Sequence, residues 1–176
     1  LDHLGIDRAV VGGHSMGGAV AVAVAEAAPD RVAGLAMLAG PGPFAHQGYV
    51  RSRLNVLGRV FALPGSTRLL GSRLKAGFVA AGFPSSTPVH EMVSSVRDGG
   101  QLRFDEHARR LKRVAVPALV AWAQDDRLIE ATVSQALSDM LPAGPRLVWP
   151  EGGHNIQKTH AAELASALRS FVADTR

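Results

Sequence analysis

Four short apolar runs, spread along the chain and bounded by turn-forming residues, constrain the fold of this sequence more than any other feature. They are Ala9-Val10-Val11-Gly12, Val32 to Leu38, Ala118-Leu119-Val120-Ala121-Trp122 and Arg146-Leu147-Val148-Trp149. Runs of this length fit strands buried on both faces, the environment of a parallel sheet. Helix-type stretches lie between them. Met16 to Ala28 is an Ala/Val segment closed by Pro29, which cannot continue a helix. Residues 130–141 carry Val133, Leu137 and Leu141 at helical spacing before Pro142. Ile156, His160, Leu164, Leu168 and Phe171–Val172 recur at about four and predict one amphipathic final helix. At the other end, Leu1, Leu4 and Gly5 read as a last helical turn with its closing glycine. Strand alternating with helix predicts an α/β fold, a parallel sheet of about four strands with flanking helices and right-handed crossovers.

The middle of the chain breaks this rhythm, dividing the chain into 1–43, 44–113 and 114–176. Within 44–113, Val50, Leu54, Leu57 and Phe61 mark one helical stripe, Leu70, Leu74 and Phe78 a second, and Val89, Met92, Val93 and Val96 a third. Gly and Pro clusters at 64–65, 82–84 and 98–100 are expected to separate them. This helical insertion holds 12 Lys/Arg against 4 Asp/Glu, a net of +8, while the rest of the chain is net −4. An Arg-rich stretch of this kind reads first as a solvated face and second as attraction for an acidic substrate or an anionic surface.

Composition narrows the function classes. At 176 residues, 47% hydrophobic and 19% charged, the chain has the makings of about one globular domain. It has no cysteine, which excludes disulfides, thiolate metal sites and a cysteine nucleophile. No apolar run approaches the ~18 residues of a membrane span. Aromatics are only 5%, poor material for base stacking, so the net charge of +4 is not read as a nucleic-acid signal. His3, His46, His90 and His107 lack ligand spacing, and His160 reads as a packing residue of the final helix; no metal or cofactor is expected. Without a targeting segment in view, a cytoplasmic setting is the expectation.

Chemistry concentrates just after three of the apolar runs. Gly13-His14-Ser15-Met16-Gly17 has the form Gly-x-Ser-x-Gly where a strand becomes a helix. A serine on so sharp a turn needs small neighbours, here Gly13, Gly17 and Gly18. The helix N-terminus beyond it aims amide donors at any oxyanion formed nearby. The pattern by itself also fits a tight glycine turn with a bystander serine. A serine nucleophile requires a base and the base an orienting carboxylate, and the sequence offers Asp125-Asp126 after the third run and Gly152-Gly153-His154 after the fourth. Ligands of open parallel sheets gather at the carboxyl ends of strands, where all three groups fall. Taken singly, His154 also reads as a loop histidine capping the last helix, and the Asp pair as a turn former or helix cap. His14 is expected to support the turn.

These motifs together resemble the α/β-hydrolase family. Leu1-Asp2-His3-Leu4-Gly5-Ile6-Asp7 looks like the helix entering the nucleophile strand, Gly13-His14-Ser15-Met16-Gly17-Gly18 like the nucleophile elbow, Pro117 to Ile129 like the strand and acid loop, and Gly153-His154 like the histidine loop. The resemblance implies a partial α/β-hydrolase fold, with 44–113 as its cap. It also implies a serine hydrolase acting on ester-like or related acyl small molecules through Ser15, His154 and Asp126, with the Met16 amide in the oxyanion hole. Asp126 falls on the acid of the family's Trp-Gly-x-x-Asp pattern; because Ala123 stands in place of its glycine, Asp125 is a second choice. Serine at position 15, where other branches have aspartate, argues against dehalogenase or epoxide hydrolase chemistry. Carbon–carbon bond hydrolysis and perhydrolysis would use the same residues. The family's first strands and its His-Gly loop have no counterpart in the chain, so a C-terminal fragment is expected, with 9–12 as an unpaired edge strand. A missing oxyanion donor typically costs about 2.7–4 kcal/mol in the transition state. The alternative is therefore a non-catalytic small-molecule-binding relative.

Overall fold

A computed structural model describes residues 1–80 and 83–175. The chain forms two units, Leu1–Gly48 with Phe104–Arg176, and Tyr49–Arg103. The first is built on a parallel sheet of four strands, β1 (Ala9–His14), β2 (Val32–Leu38), β3 (Ala118–Ala123) and β4 (Arg146–Trp149), in the order β1-β2-β3-β4. β2 and β4 coincide with the apolar runs read from sequence, β3 runs one residue further, and β1 continues through Gly13 to His14.

Alternation along the strands feeds two separate cores, one per face. Leu35 and Met37 of β2, Val120 and Trp122 of β3, and Leu137 of a helix after β3 are buried together with Val22 of the helix after β1. Ala36, Leu119 and Ala121 face the other way, onto Ile156, Leu164 and Phe171. The covering helices are α1 (Met16–Ala27), α6 (Phe104–Leu111), α7 (Ala131–Met140), α8 (Ile156–Thr159) and α9 (Ala161–Asp174). The single final helix expected from the apolar repeat is thus two, interrupted at His160, which caps α9 with a non-helical backbone. The start of the chain is one 3-10 turn, Asp2–Leu4, closed by Gly5 at φ +62°.

The second unit contains α3 (Leu54–Val60), α4 (Ser66–Ala80), α5 (Val89–Gly100) and the end of α2 (Gln47–Arg51). Phe61, Val93 and Val96 form its core with Leu54, Leu57, Leu70, Leu74, Phe78 and Val89 packed around them. Val50 does not join that stripe: Arg53 takes a left-handed conformation at φ +48°, ends the register between α2 and α3, and leaves Val50 exposed. Gly65, at φ +78°, does separate α3 from α4. Of the break at 82–84, Gly82 lies outside the described residues. In the break at 98–100, Gly99 and Gly100 are no linker but the last residues of α5. Their use is close approach: a Cβ on Gly100 would stand 2.5 Å from the Leu54 carbonyl oxygen and 3.1 Å from the Gly58 Cα.

Residues 44–48 and 104–113, within the insertion as delimited by charge and periodicity, group with the sheet-bearing unit. α6 is tied there to the end of α1, where the Glu26 carboxylate receives Arg110 Nε at 2.8 Å and Arg113 Nη1 at 2.9 Å. Among the described residues no helix is long and apolar enough to cross a membrane.

Candidate active site

Because all four strands are parallel, their carboxyl ends share one edge of the sheet. β1 ends at His14 opposite Leu38 of β2, and the next residue, Ser15, donates its amide to the Leu38 carbonyl at 2.9 Å. Ser15 sits at φ +53°, ψ −126°, a conformation that costs a non-glycine residue about 1–3 kcal/mol and persists only where its surroundings enforce it. Gly13 is one such constraint: a Cβ there would lie 2.1 Å from the Gly17 carbonyl group. Gly18 is another, with a Cβ position 3.0 Å from Met37 Cε and 3.3 Å from Gly40 Cα. Gly17, by contrast, has open space where its Cβ would be, so the close approach rests on two of the three small residues singled out in the sequence. α1 starts immediately, and Met16, its first residue, carries one of the N–H groups that a helix start leaves without an intrahelical acceptor.

The acid and the base come from the turns after β3 and β4. Asp126 is buried, and its two carboxylate oxygens have separate partners. Oδ2 accepts a hydrogen bond from His154 Nδ1 at 2.8 Å. Oδ1 accepts the amides of Leu128 at 2.8 Å and Ile129 at 3.1 Å. Burial pushes the Asp126 pKa up, but the hydrogen bond and charge of His154 and the two amides together outweigh it and leave the carboxyl below its ordinary value. With Nδ1 donating to Asp126, the lone pair of a neutral His154 is on Nε2, the arrangement a general base requires. Asp125 has a different partner: its Oδ1 accepts the Gly153 amide at 2.7 Å, tying the acid turn to the histidine loop.

That loop is braced from behind. Gly152 and Gly153 both have positive φ, at +147° and +62°. The His160 ring stacks on Trp149 with centroids 4.4 Å apart, and its Nε2 lies 2.8 Å from the Glu151 carbonyl oxygen. Trp149 Nε1 donates to Glu163 at 2.7 Å. His160 thus has the packing role read from the sequence, although it stands at the start of α9 and not inside one long helix.

The structure brings His154 and Asp126 into direct contact, while the Ser15 hydroxyl makes no hydrogen bond to another described residue. The link between the elbow and the base is the neighbouring residue. His14 Nε2 lies 2.8 Å from the His154 carbonyl oxygen, and the two rings are 4.8 Å apart. Burial chiefly holds the His14 pKa below the ordinary value. His46, set aside in the sequence for lack of ligand spacing, also belongs to this neighbourhood: its Nδ1 is 2.8 Å from the carbonyl oxygen of Leu128, whose amide holds Asp126. Gly48 donates to the same carbonyl at 3.0 Å. No sequence signal marks that contact, because 82 residues separate the partners. Among the described residues no three His, Asp or Glu side chains are grouped closely enough to hold a metal ion.

Residues 1–167 match the model of the Alpha/beta hydrolase family. The chain is 29% identical to a 2-hydroxy-6-oxononadienedioate/2-hydroxy-6-oxononatrienedioate hydrolase of Paraburkholderia phymatum, over 98% of this chain and 65% of that protein. It is 30% identical to the dihydrolipoyllysine-residue acetyltransferase component of an acetoin cleaving system of Pseudomonas putida, over 98% of this chain and 47% of that one. It therefore spans between about half and two thirds of the length of these relatives. Among solved structures, a meta-cleavage product hydrolase from Pseudomonas fluorescens superposes with a TM-score of 0.66 at 20% identity, covering 99% of this chain and 68% of the other. A thermophilic esterase from Thermogutta terrifontis does so with a TM-score of 0.64 at 22% identity, over 99% and 68%. At these identities the structures show a shared fold.

Proposed function

The chain belongs to the alpha/beta hydrolase family, and on that premise we propose that it is a serine hydrolase of ester-like or related acyl small molecules, working through Ser15, His154 and Asp126. The observation that carries this reading is the 2.8 Å hydrogen bond between His154 Nδ1 and a buried Asp126, at the same sheet edge as a serine held at positive φ. In the proposed reaction, His154 Nε2 takes the Ser15 hydroxyl proton as Oγ bonds to the acyl carbon. The carbonyl π-bond electrons move to oxygen, and the Met16 amide donates to the resulting oxyanion. The imidazolium, stabilised by Asp126, returns its proton to the leaving alkoxide as the acyl–oxygen bond breaks. Water then repeats the sequence on the acyl-enzyme and regenerates Ser15.

The Tyr49–Arg103 helices are proposed to act as the cap of this enzyme, and a cytoplasmic setting goes with the reading. Similarity to hydrolases of 2-hydroxy-6-oxo dienedioates supports a second chemistry on the same residues, hydrolysis of a carbon–carbon bond beside a ketone. A p-nitrophenyl acetate assay beside a vinylogous diketone assay separates the two. Fluorophosphonate labelling tests the shared premise: the chain should be labelled on Ser15, and Ser15→Ala should abolish labelling. Undiminished labelling of that variant refutes the nucleophile. Neither labelling nor turnover by the native chain leaves the non-catalytic, ligand-binding alternative.

A further inference from the structure

The geometry points to His14 as a positioning residue, whose Nε2–H holds the His154 main chain in place and so sets the base against the serine beside it. This inference rests on the serine-hydrolase reading and assigns a role to a residue which that mechanism does not use. A carbonyl oxygen can only accept, so the 2.8 Å contact between His14 Nε2 and the His154 oxygen requires the proton on Nε2 of His14. Residue 14 is covalently joined to Ser15 at the elbow, and its position is fixed by the β1–β2 pairing of His14 with Leu38. The ring therefore bridges the nucleophile's strand to the base's loop, across 140 residues of sequence.

The need for such a bridge is visible in the histidine loop. Two successive glycines at positive φ precede His154, a backbone with weak conformational preferences of its own. Asp125 fixes Gly153 from one side and Asp126 fixes the His154 ring. The His154 carbonyl is held by His14 alone among the described side chains. Small displacements of a base are costly, since a misplacement of about 1 Å can lower a rate about a hundredfold.

His14 also sets a second imidazole ring 4.8 Å from that of His154. The charged and titratable groups facing it are His154, Asp126 and Lys158. Protonating His14 keeps its Nε2–H donor but sets a positive charge beside the His154 imidazolium.

The test compares His14→Leu, which removes the donor, with His14→Gln, whose amide nitrogen can reach the same carbonyl. Two readouts are taken on the folded chain, the low-field proton NMR signal of His154 Nδ1–H and the rate of fluorophosphonate labelling of Ser15. In His14→Leu the signal should broaden or vanish and labelling should slow about tenfold to a hundredfold. His14→Gln should keep the signal and most of the rate. A His14→Leu protein with the native signal and native labelling rate overturns the inference. So does a native chain without that signal, since no acid–base pair would then be held. If the signal responds as expected but the native chain is not labelled, the hydrolase reading fails while the positioning role of His14 stands.

Discussion

The sheet-bearing unit and the helical unit solve the same packing problem by different means. In the first, close backbone approach occurs at the elbow and also at Gly42, Gly48 and Gly144, and polar groups are tied across long sequence distances, as in Asp126 to His154 and His14 to the His154 carbonyl. In the second, the approach of α3 and α5 through Gly58 and Gly100 organises a small core around Phe61, Val93 and Val96. Large apolar side chains stay outside that core, Leu69 most of all at 79% exposed. Residues 49–103 carry eight Lys/Arg against two Asp/Glu. None of Arg51, Arg53, Arg59, Arg68, Arg73, Lys75 and Arg97 enters an ion pair formed among the described residues. Both units thus use glycine for close backbone contact, but polar ties between distant segments hold the loops of the candidate site, while the helical unit rests on its small apolar core.

The largest effect that tests this contrast is expected at Gly13. Gly13→Ala sets a Cβ 2.1 Å from the Gly17 carbonyl and should destabilise the first unit by about 3 kcal/mol or more, read as a drop in the urea midpoint with loss of Ser15 labelling. Gly17→Ala, with open space at its Cβ, serves as the control; an equal loss there would contradict the steric account.

Next in size is Gly100→Ala. Its Cβ meets the Leu54 carbonyl at 2.5 Å, and separation of α3 from α5 should cost about 1–3 kcal/mol. If the two units are as different as their packing indicates, hydrogen exchange will rise in α3 and α5 and stay native in β2 and β3. A uniform rise through both units would show that they unfold as one.

The smallest effect expected is in acid. Asp126 has its carboxyl below the ordinary value of 3.8 in the folded chain, so its contribution to stability is complete above that value and lost as pH falls through the lower, folded-state pKa. Asp126→Asn should therefore flatten the fall of the urea midpoint between about pH 5 and about pH 3. An unchanged slope would mean that the His154 pair contributes nothing to acid stability.

Much of the architecture was legible without coordinates. β2 coincides with its apolar run because a strand covered on both faces leaves no room for polar residues, whereas β4, at the sheet edge, coincides with its run although Val148 is exposed. α1 ends before Pro29 because proline lacks the N–H and fits poorly in a continuing helix. The split of the last helix at His160 was not legible, since Ile156 and Leu164 keep their apolar spacing across the break. Gly99 and Gly100, read as a break, lie inside the end of α5 for a related reason. Glycine marks both chain breaks and close helix contacts, and only the neighbouring α3 backbone decides which.

At the candidate site the division is similar. Sequence alone was enough for the residue types, the elbow, and the location of Ser15, Asp126 and His154 beyond three strands of a parallel sheet, because local propensity and strand order determine where each loop emerges. Which neighbouring aspartate meets the imidazole, that Asp125 instead holds Gly153, and that His14 and His46 grip the main chain of the base and acid loops were decided only by the tertiary structure. Such hydrogen bonds depend on angstrom-scale distances between segments far apart in the chain. No periodicity or propensity encodes those distances, whereas the packing of the sheet and its helices does.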